Sequence, residues 1–514
     1  MDTIAAMSDS LPVQNGAMLS PKKDSFANFY YKTDGKLVVS LQTDSIENGN
    51  GDKLQEQITL HVEVCTKGNV IVNHGQELKD RVHKHLSMLA YDDYIYILTK
   101  LAKGLSTDVP FDDDEYLSAT VDFIKVQDES ATNKISHHNN NNHSEASIRT
   151  IAGITAGVLE ISLHMFSLSL DTPGVEELSI GGDEQSASAA QIWMLPHVQF
   201  KTLWDSLFYE DDLKWRLVRY VETMLLLSDL NIDQNIVTYN RIVLLHGPPG
   251  TGKTSLCHAL AQRLSVRLDA RYRYCQLVEI NSHSLFSRWF SESGKLVMAM
   301  FDKIRELYSD PEALVFILID EVESLAASRK TQGSEPSDAI RVVNAMLTQL
   351  DQLKTQPNVV VLTTSNLSGR VDLAFVDRAD IKQHVGHPSS YAIYKIMSSC
   401  ITELMQVKLI APQHDLCELP VSERELESDA LSKRLLQLCS PVDITCNEQT
   451  KSRKAELKTL HGLSGRTLRK LPFLTIAEHA NRTDVNRSMT LNEFLDALER
   501  TLFDYRNQMA WMDE

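Results

Sequence analysis

No apolar run in this chain is long enough to cross a bilayer. The longest, such as Leu314 to Ile319, fall far short of the roughly 20 residues a membrane helix requires. The amino terminus carries no basic stretch followed by an apolar one, so neither secretion nor a membrane anchor is expected. Cysteine is sparse: seven thiols (Cys65, Cys257, Cys275, Cys400, Cys417, Cys439 and Cys446), odd in number and without the paired spacing of a metal site, fit a reducing compartment, nuclear or cytoplasmic. Positive charge is in deficit as well, 51 Lys and Arg against 69 Asp and Glu, a net charge of -18. That balance disfavours non-specific attraction to nucleic-acid phosphates and makes a protein the expected partner, with no direct nucleic acid and no membrane. What is present, 514 residues of which 43% are hydrophobic, suffices for a large core divided among roughly two to four domains.

Three textures follow one another. From about 26 to 126, Lys36 to Leu41 and Gln57 to Val64 alternate apolar and polar residues, the period of half-buried strands, so residues 1–198 read as an α+β N-terminal domain. Within it, 129–147 carries His137-His-Asn-Asn-Asn-Asn-His143 among Ser and Thr and is expected to be disordered, with too little apolar surface to offset the entropy of ordering. From about 199 to 388, short β-branched runs (Ile242 to Leu245, Leu277 to Ile280, Val315 to Ile319, Val359 to Thr363) alternate with helical stretches, the signature of a parallel sheet covered on both faces. After Pro388 such runs cease, and 389–514 reads as a small helical domain containing a polar loop from Cys417 to Ala455.

The strongest chemical signal is Gly247-Pro248-Pro249-Gly250-Thr251-Gly252-Lys253-Thr254-Ser255, directly after one strand and opening a helix. Glycines let backbone N–H groups curl around phosphates at a helix N-terminus, Lys253 reaches the β and γ oxygens, and the Thr254 hydroxyl holds magnesium. The second is Val315-Phe-Ile-Leu-Ile-Asp320-Glu321, an apolar strand ending in two carboxylates. In a parallel sheet it lies near the first strand, so Asp320 orients Mg2+ while Glu321 polarises the attacking water. The third is Leu362-Thr-Thr-Ser-Asn366, whose Asn366 is placed to bond the γ-phosphate or that water. ATP with Mg2+ is the expected ligand pair.

Together these motifs and the trailing helical region resemble the AAA+ ATPases. The stretches Glu279 to Lys295, Glu335 to Asn344, Ala374 to Ile381 and Gly462 to Pro472 are similar to the pachytene checkpoint AAA+ ATPases of the thyroid receptor interactor type. The resemblance covers about Trp193 to Pro388, together with Gly462 to Phe473 in the lid. It implies a homo-hexamer that partly unfolds HORMA-domain proteins of the spindle checkpoint and the meiotic chromosome axis, with a HORMA-type adaptor, in the nucleus, including chromosomes and kinetochores, and in the cytoplasm. It implies a pore loop at Trp289 and Phe290, with Gly294 nearby, where flat side chains grip an extended peptide by apolar contact. It implies that Arg378 acts as an arginine finger toward a neighbouring subunit, with Arg370 a rival because Val376-Asp-Arg-Ala-Asp380 departs from the common pattern. It implies that Arg466, after Gly465 at a helix start, touches the γ-phosphate and couples hydrolysis to lid rotation.

A DNA-directed AAA+ motor or clamp-loader-like ATPase would share every nucleotide-binding residue, and a non-hydrolysing ATP-binding scaffold is the other alternative. The acidic balance and the aromatic pair weigh against the first, the retention of Lys253, Asp320, Glu321 and Asn366 against the second. Cys257, on the helix after the phosphate loop, reads as a small buried hydrophobe.

Overall fold

The computed structural model describes residues 27–31, 37–41, 57–68, 70–89, 96–97, 100, 106–127, 158–178, 187–209, 212–230, 232–280, 293–323, 336–366, 373–412, 416, 429–441, 459–479 and 488–512. They fall into two compact units, 1–165 and 166–514.

In the first unit, strands β1 (Ala27–Tyr31), β2 (Leu37–Leu41), β3 (Gln57–Thr66), β4 (Thr107–Asp108), β5 (Val121–Gln127) and β6 (Val158–Ser167) form one sheet ordered β1-β2-β6-β3-β5-β4. It carries helices α1 (Val70–Met88) and α2 (Glu115–Thr120). Leu60, Val62 and Val64 alternate along β3 and so share a face, while Leu78, Val82 and Leu86 recur every fourth residue of α1; the two sets bury together. This is the expected α+β module. The expected disordered segment 129–147 lies outside the described residues.

The second unit begins with β7 (Gly174–Leu178), β8 (Ala187–Leu195), α3 (Leu203–Ser206) and α4 (Leu213–Asp229). It continues through β9 (Ile242–His246), α5 (Lys253–Arg267), β10 (Tyr274–Ile280), α6 (Ser293–Tyr308), β11 (Ala313–Ile319), α7 (Pro336–Leu353), β12 (Val359–Ser365), α8 (Leu373–Val376) and β13 (Ile381–His384). These strands make a seven-stranded sheet ordered β13-β9-β12-β11-β10-β8-β7. The five from β13 to β10 are parallel, whereas β8 runs antiparallel to β10, with Trp193 opposite Leu277, and β7 antiparallel to β8. The domain boundary expected near 198 therefore moves upstream, because residues 174–195 form the edge of this sheet. The sequence Ala187 to Ala190 mixes Ala with Ser and has no β-branched residue, so its strand character comes from pairing rather than from local propensity: Ala187 and Ser188 pair with β7, and Ala190 with both β7 and β10.

Every residue of β11 is buried because both faces are covered. Val315, Ile317 and Ile319 pack with Val297, Phe301 and Ile304 of α6 and Met346 and Leu350 of α7. Leu314, Phe316 and Leu318 face the opposite layer with Leu217 and Val221 of α4 and Leu256 and Leu260 of α5. Among the described residues four further helices follow: α9 (Ser390–Gln406), α10 (Ala430–Cys439), α11 (Gly465–His479) and α12 (Leu491–Met512). Ile393, Met397, Leu435, Leu468, Phe494 and Leu498 are among those that close their core. The region expected to be loop from 417 to 455 thus contains α10. Asp429 caps it, accepting from the N–H groups of Leu431 and Ser432 at 3.1 and 3.2 Å, and buried Leu435 and Cys439 anchor it. Among the described residues no helix is long and apolar enough to cross a membrane.

Candidate functional site

Parallel pairing aligns the carboxyl ends of the central strands: Ile280 lies opposite Ile319, Ile319 opposite Thr363, and Ser365 opposite His246. The residues that follow each strand therefore meet at one edge, where open α/β sheets hold their ligands. Three of the sequence-derived motifs, at 247–255, 320–321 and 366, converge there.

The phosphate loop leaves β9 and enters α5 through three glycines of positive φ: Gly247 (145°), Gly250 (75°) and Gly252 (90°). At Gly247 a side chain is excluded outright, since a Cβ there would stand 2.2 Å from the Val385 carbonyl oxygen. The Gly247 N–H donates to Ser365 O at 3.2 Å, tying the loop to β12. Lys253 opens α5, so its ammonium and the helix N-terminus present positive charge to the same place. It is buried, and donates to the carbonyls of Gly247 and Pro248 at 3.0 and 2.7 Å. Burial lowers its pKa, against which the carboxylates of Glu323, Asp320 and Glu321 act. Thr251 donates to Pro248 O at 3.0 Å and closes the turn that also contains Pro249.

On the other side, Asp320 Oδ1 accepts from Thr254 Oγ1 at 2.9 Å and from Thr364 Oγ1. These hydroxyl and carboxylate oxygens are the hard donor set that Mg2+ takes, and Thr254 and Asp320 sit within one hydrogen bond of each other. Glu321 lies in the left-handed region at φ 55°, its N–H donating to Thr364 Oγ1 at 3.2 Å. Asn366 donates its side-chain amide to Glu321 Oε1 at 3.1 Å and its backbone N–H to Glu323 Oε1 at 3.0 Å. Glu323 was not singled out from the sequence. It stands in an ordinary acidic turn, and only the fold shows that it holds Asn366.

Beside the loop lies a cleft of about 400 Å³ between the sheet unit and the helical lid. Gly250, Thr251, Gly252 and Ser255 form one wall, Ser206 to Tyr209 and Gln383 to Ser389 two others, and Ala392 and Ile396 of α9 with Gly465, Arg466 and Arg469 of α11 the fourth. Arg466 donates its backbone N–H to Gly250 O at 3.0 Å, so the start of α11 is fastened to the phosphate loop. The walls at 206–209 and 383–396 carry no motif, and a mixed apolar and polar lining assembled from separate segments leaves no spacing to read.

The remaining sequence-derived residues are placed unevenly. Arg378 is engaged within its own chain, its guanidinium forming two bonds to Asp351 at 2.9 and 2.7 Å. Gly294 falls in the first turn of α6. Trp289, Phe290 and Arg370 lie outside the described residues. Cys257 is fully buried, and burial pushes its thiol up, as expected of an inert core cysteine.

Comparison with known proteins agrees with this geometry. The family model for ATPases associated with various cellular activities matches residues 243–387, and one for the TRIP13-like AAA+ ATPase lid C-terminal domain matches 389–505. The pachytene checkpoint protein 2 homolog of Homo sapiens is 44% identical over 462 residues, 88% of this chain and 96% of the relative. That of Mus musculus is 45% identical over 449 residues, 86% of this chain and 92% of the relative. The solved structure of C. elegans PCH-2 superposes with a TM-score of 0.61 at 30% identity, covering 88% of this chain and all of that one. With its phosphate loop, acidic strand end and family lid in place, the chain is an ATPase and belongs to the pachytene checkpoint protein 2 family of AAA ATPases.

Proposed function

We propose that the chain couples ATP hydrolysis, with Mg2+, to the partial unfolding of HORMA-domain proteins. The observation that carries the reading is the convergence of Lys253, Thr254, Asp320, Glu321 and Asn366 at one sheet edge, with the lid helix fastened to the loop through Arg466. The phosphate loop and Lys253 bind the triphosphate, and Glu321 takes a proton from the attacking water, which Asn366 helps to place. Thr254 and Asp320 would hold Mg2+, which would supply charge neutralisation at the phosphate oxygens. Arg466, lining the cleft, carries the loss of the γ-phosphate into lid rotation.

Membership of the family supports this client class. The assembly is a homo-hexamer in which Arg378 leaves Asp351 to complete the neighbouring subunit's site, and Trp289 and Phe290, with Gly294, grip the client in a central pore. A HORMA-type adaptor delivers the client, and the protein works in the nucleus and cytoplasm. Glu321→Gln and Trp289→Ala test this separately against a closed HORMA protein, ATP and adaptor. The first variant retains ATP without turnover and traps the client. The second hydrolyses ATP and leaves the client closed; normal remodelling by Trp289→Ala would overturn the pore reading.

A further inference from the structure

The wall of the nucleotide cleft at 206–209 follows helix α3, which is four residues long and too short to hold itself in place. Its last carbonyls have no helical partner. Two cations satisfy them from opposite sides. From the sheet unit, Lys214 near the start of α4 donates to Trp204 O at 2.8 Å and to Leu207 O at 3.0 Å. From the lid, Arg469 donates to Ser206 O. Behind the wall, the Lys214 ammonium lies 5.0 Å from the centre of the Trp204 ring, which packs edge-on against Trp215 at 5.3 Å. Arg263 of α5 lies within 5.5 Å of both rings. The front of the wall meets the phosphate loop: Leu207 Cδ2 and the Tyr209 hydroxyl each come within 3.2 Å of where a Cβ on Gly252 would stand. That Tyr209 hydroxyl is buried with no hydrogen-bond partner among the described residues.

We propose that Lys214 is a positioning residue for nucleotide binding: by capturing the carbonyls of Trp204 and Leu207 it holds the 206–209 wall against Gly252, with Arg469 securing the same wall from the lid. No residue in this arrangement takes part in hydrolysis itself. Its loss therefore raises KM and weakens nucleotide binding without lowering kcat at saturation.

A pH signature separates this role from simple packing. Burial pushes the Lys214 ammonium down to about 8; the charged groups facing it are Asp205 on α3, which opposes the shift, and Arg263 on α5, which adds to it. As pH rises through that value the two charge-assisted bonds become neutral ones and weaken by about half. Folding responds in the opposite sense: a lysine with a lowered folded-state pKa adds stability as pH rises from about 8 toward its unfolded value near 10.4, so alkaline loss of nucleotide is not unfolding.

The test is ADP titration of the full chain by calorimetry between about pH 7 and about pH 9, with steady-state ATPase kinetics alongside. The native protein loses affinity above about pH 8, by up to about tenfold per pH unit if binding requires the ammonium. Lys214→Arg keeps the neutral-pH affinity and loses the alkaline decline. Lys214→Met binds weakly at every pH with kcat within about twofold of the native value. Native affinity in Lys214→Met, an unchanged alkaline decline in Lys214→Arg, or an effect confined to kcat would each overturn the proposal. If Lys214→Met does not fold, Arg469→Gln releases the wall from the other side; a raised KM supports the proposal and an unchanged one overturns it.

Discussion

Asn366 donates its side-chain amide to Glu321 at 3.1 Å, joining the ends of two adjacent parallel strands. Because the Asn366 backbone N–H is in turn held by Glu323 at 3.0 Å, the amide is aimed rather than free to rotate toward solvent. Glu321→Gln keeps the bond partner and removes the base. We expect kcat to fall by about 10²- to 10⁴-fold while ATP affinity is retained. Single-turnover hydrolysis and nucleotide titration check this, and a kcat within threefold of the native value would remove Glu321 from the mechanism.

Asp320 accepts two hydroxyl hydrogen bonds, from Thr254 and from Thr364. Only Thr254 belongs to the phosphate loop; Thr364 acts from β12 as an orienting partner of the carboxylate. Thr364→Val preserves shape and deletes that bond. Groups that orient a metal-binding carboxylate are worth about 10- to 100-fold in metal affinity or activity, so the Mg2+ concentration for half-maximal ATPase activity should rise by about that factor. A magnesium titration with an unchanged midpoint would show that Thr254 alone sets the Asp320 geometry.

The parts of this site legible in the sequence are those whose chemistry depends on neighbours along the chain. Gly247 to Ser255 announces itself because a strand, a tight glycine loop and a helix N-terminus must follow one another to bind phosphate. Asp320 and Glu321 stand at the end of a seven-residue apolar strand buried on both faces, which is readable from composition. Strands β7 and β8 were not readable, because pairing rather than propensity makes them strands, β8 with β10 and β7 with β8. Helix α10 was hidden by charged flanks around a short amphipathic stretch, and the cleft walls at 206–209 and 383–396 by being assembled from distant segments.

Arg378 and Lys354 both contact Asp351, with Arg378 bonding both carboxylate oxygens. Their hydrogen bonds and charges hold the Asp351 carboxyl below the usual aspartate range. A carboxylate with a lowered folded-state pKa contributes stability above its unfolded value of about 3.9 and loses it as pH falls through the folded value. The pair is partly exposed, so its contribution at neutral pH is about 0–1 kcal/mol. Asp351→Asn should therefore lower Tm slightly at pH 7 and flatten the acid limb of the Tm-against-pH curve, bringing variant and native protein together at low pH. Parallel curves at all pH values would show that the ion pair adds nothing to the fold.

Gly247 and Gly462 both have positive φ, 145° and 81°, yet their surroundings differ completely. A methyl group on Gly462 meets nothing within 4 Å, so Gly462→Ala carries only backbone strain, of about 1–3 kcal/mol. On Gly247 the same methyl meets the Val385 carbonyl at 2.2 Å, and Val385 is buried with its N–H bonded to His246 O at 2.8 Å, so the backbone it strikes has nowhere to retreat. Relief requires the phosphate loop itself to move, which breaks the Gly247 N–H bond to Ser365 O and displaces the carbonyl that Lys253 holds. Gly247→Ala should therefore lose nucleotide binding by at least about tenfold, while Gly462→Ala lowers Tm and binds nucleotide as the native protein does. Calorimetric ADP titration and thermal melts on the two variants decide the matter, and equal nucleotide affinity in both would mean that the loop tolerates a side chain where the geometry forbids one.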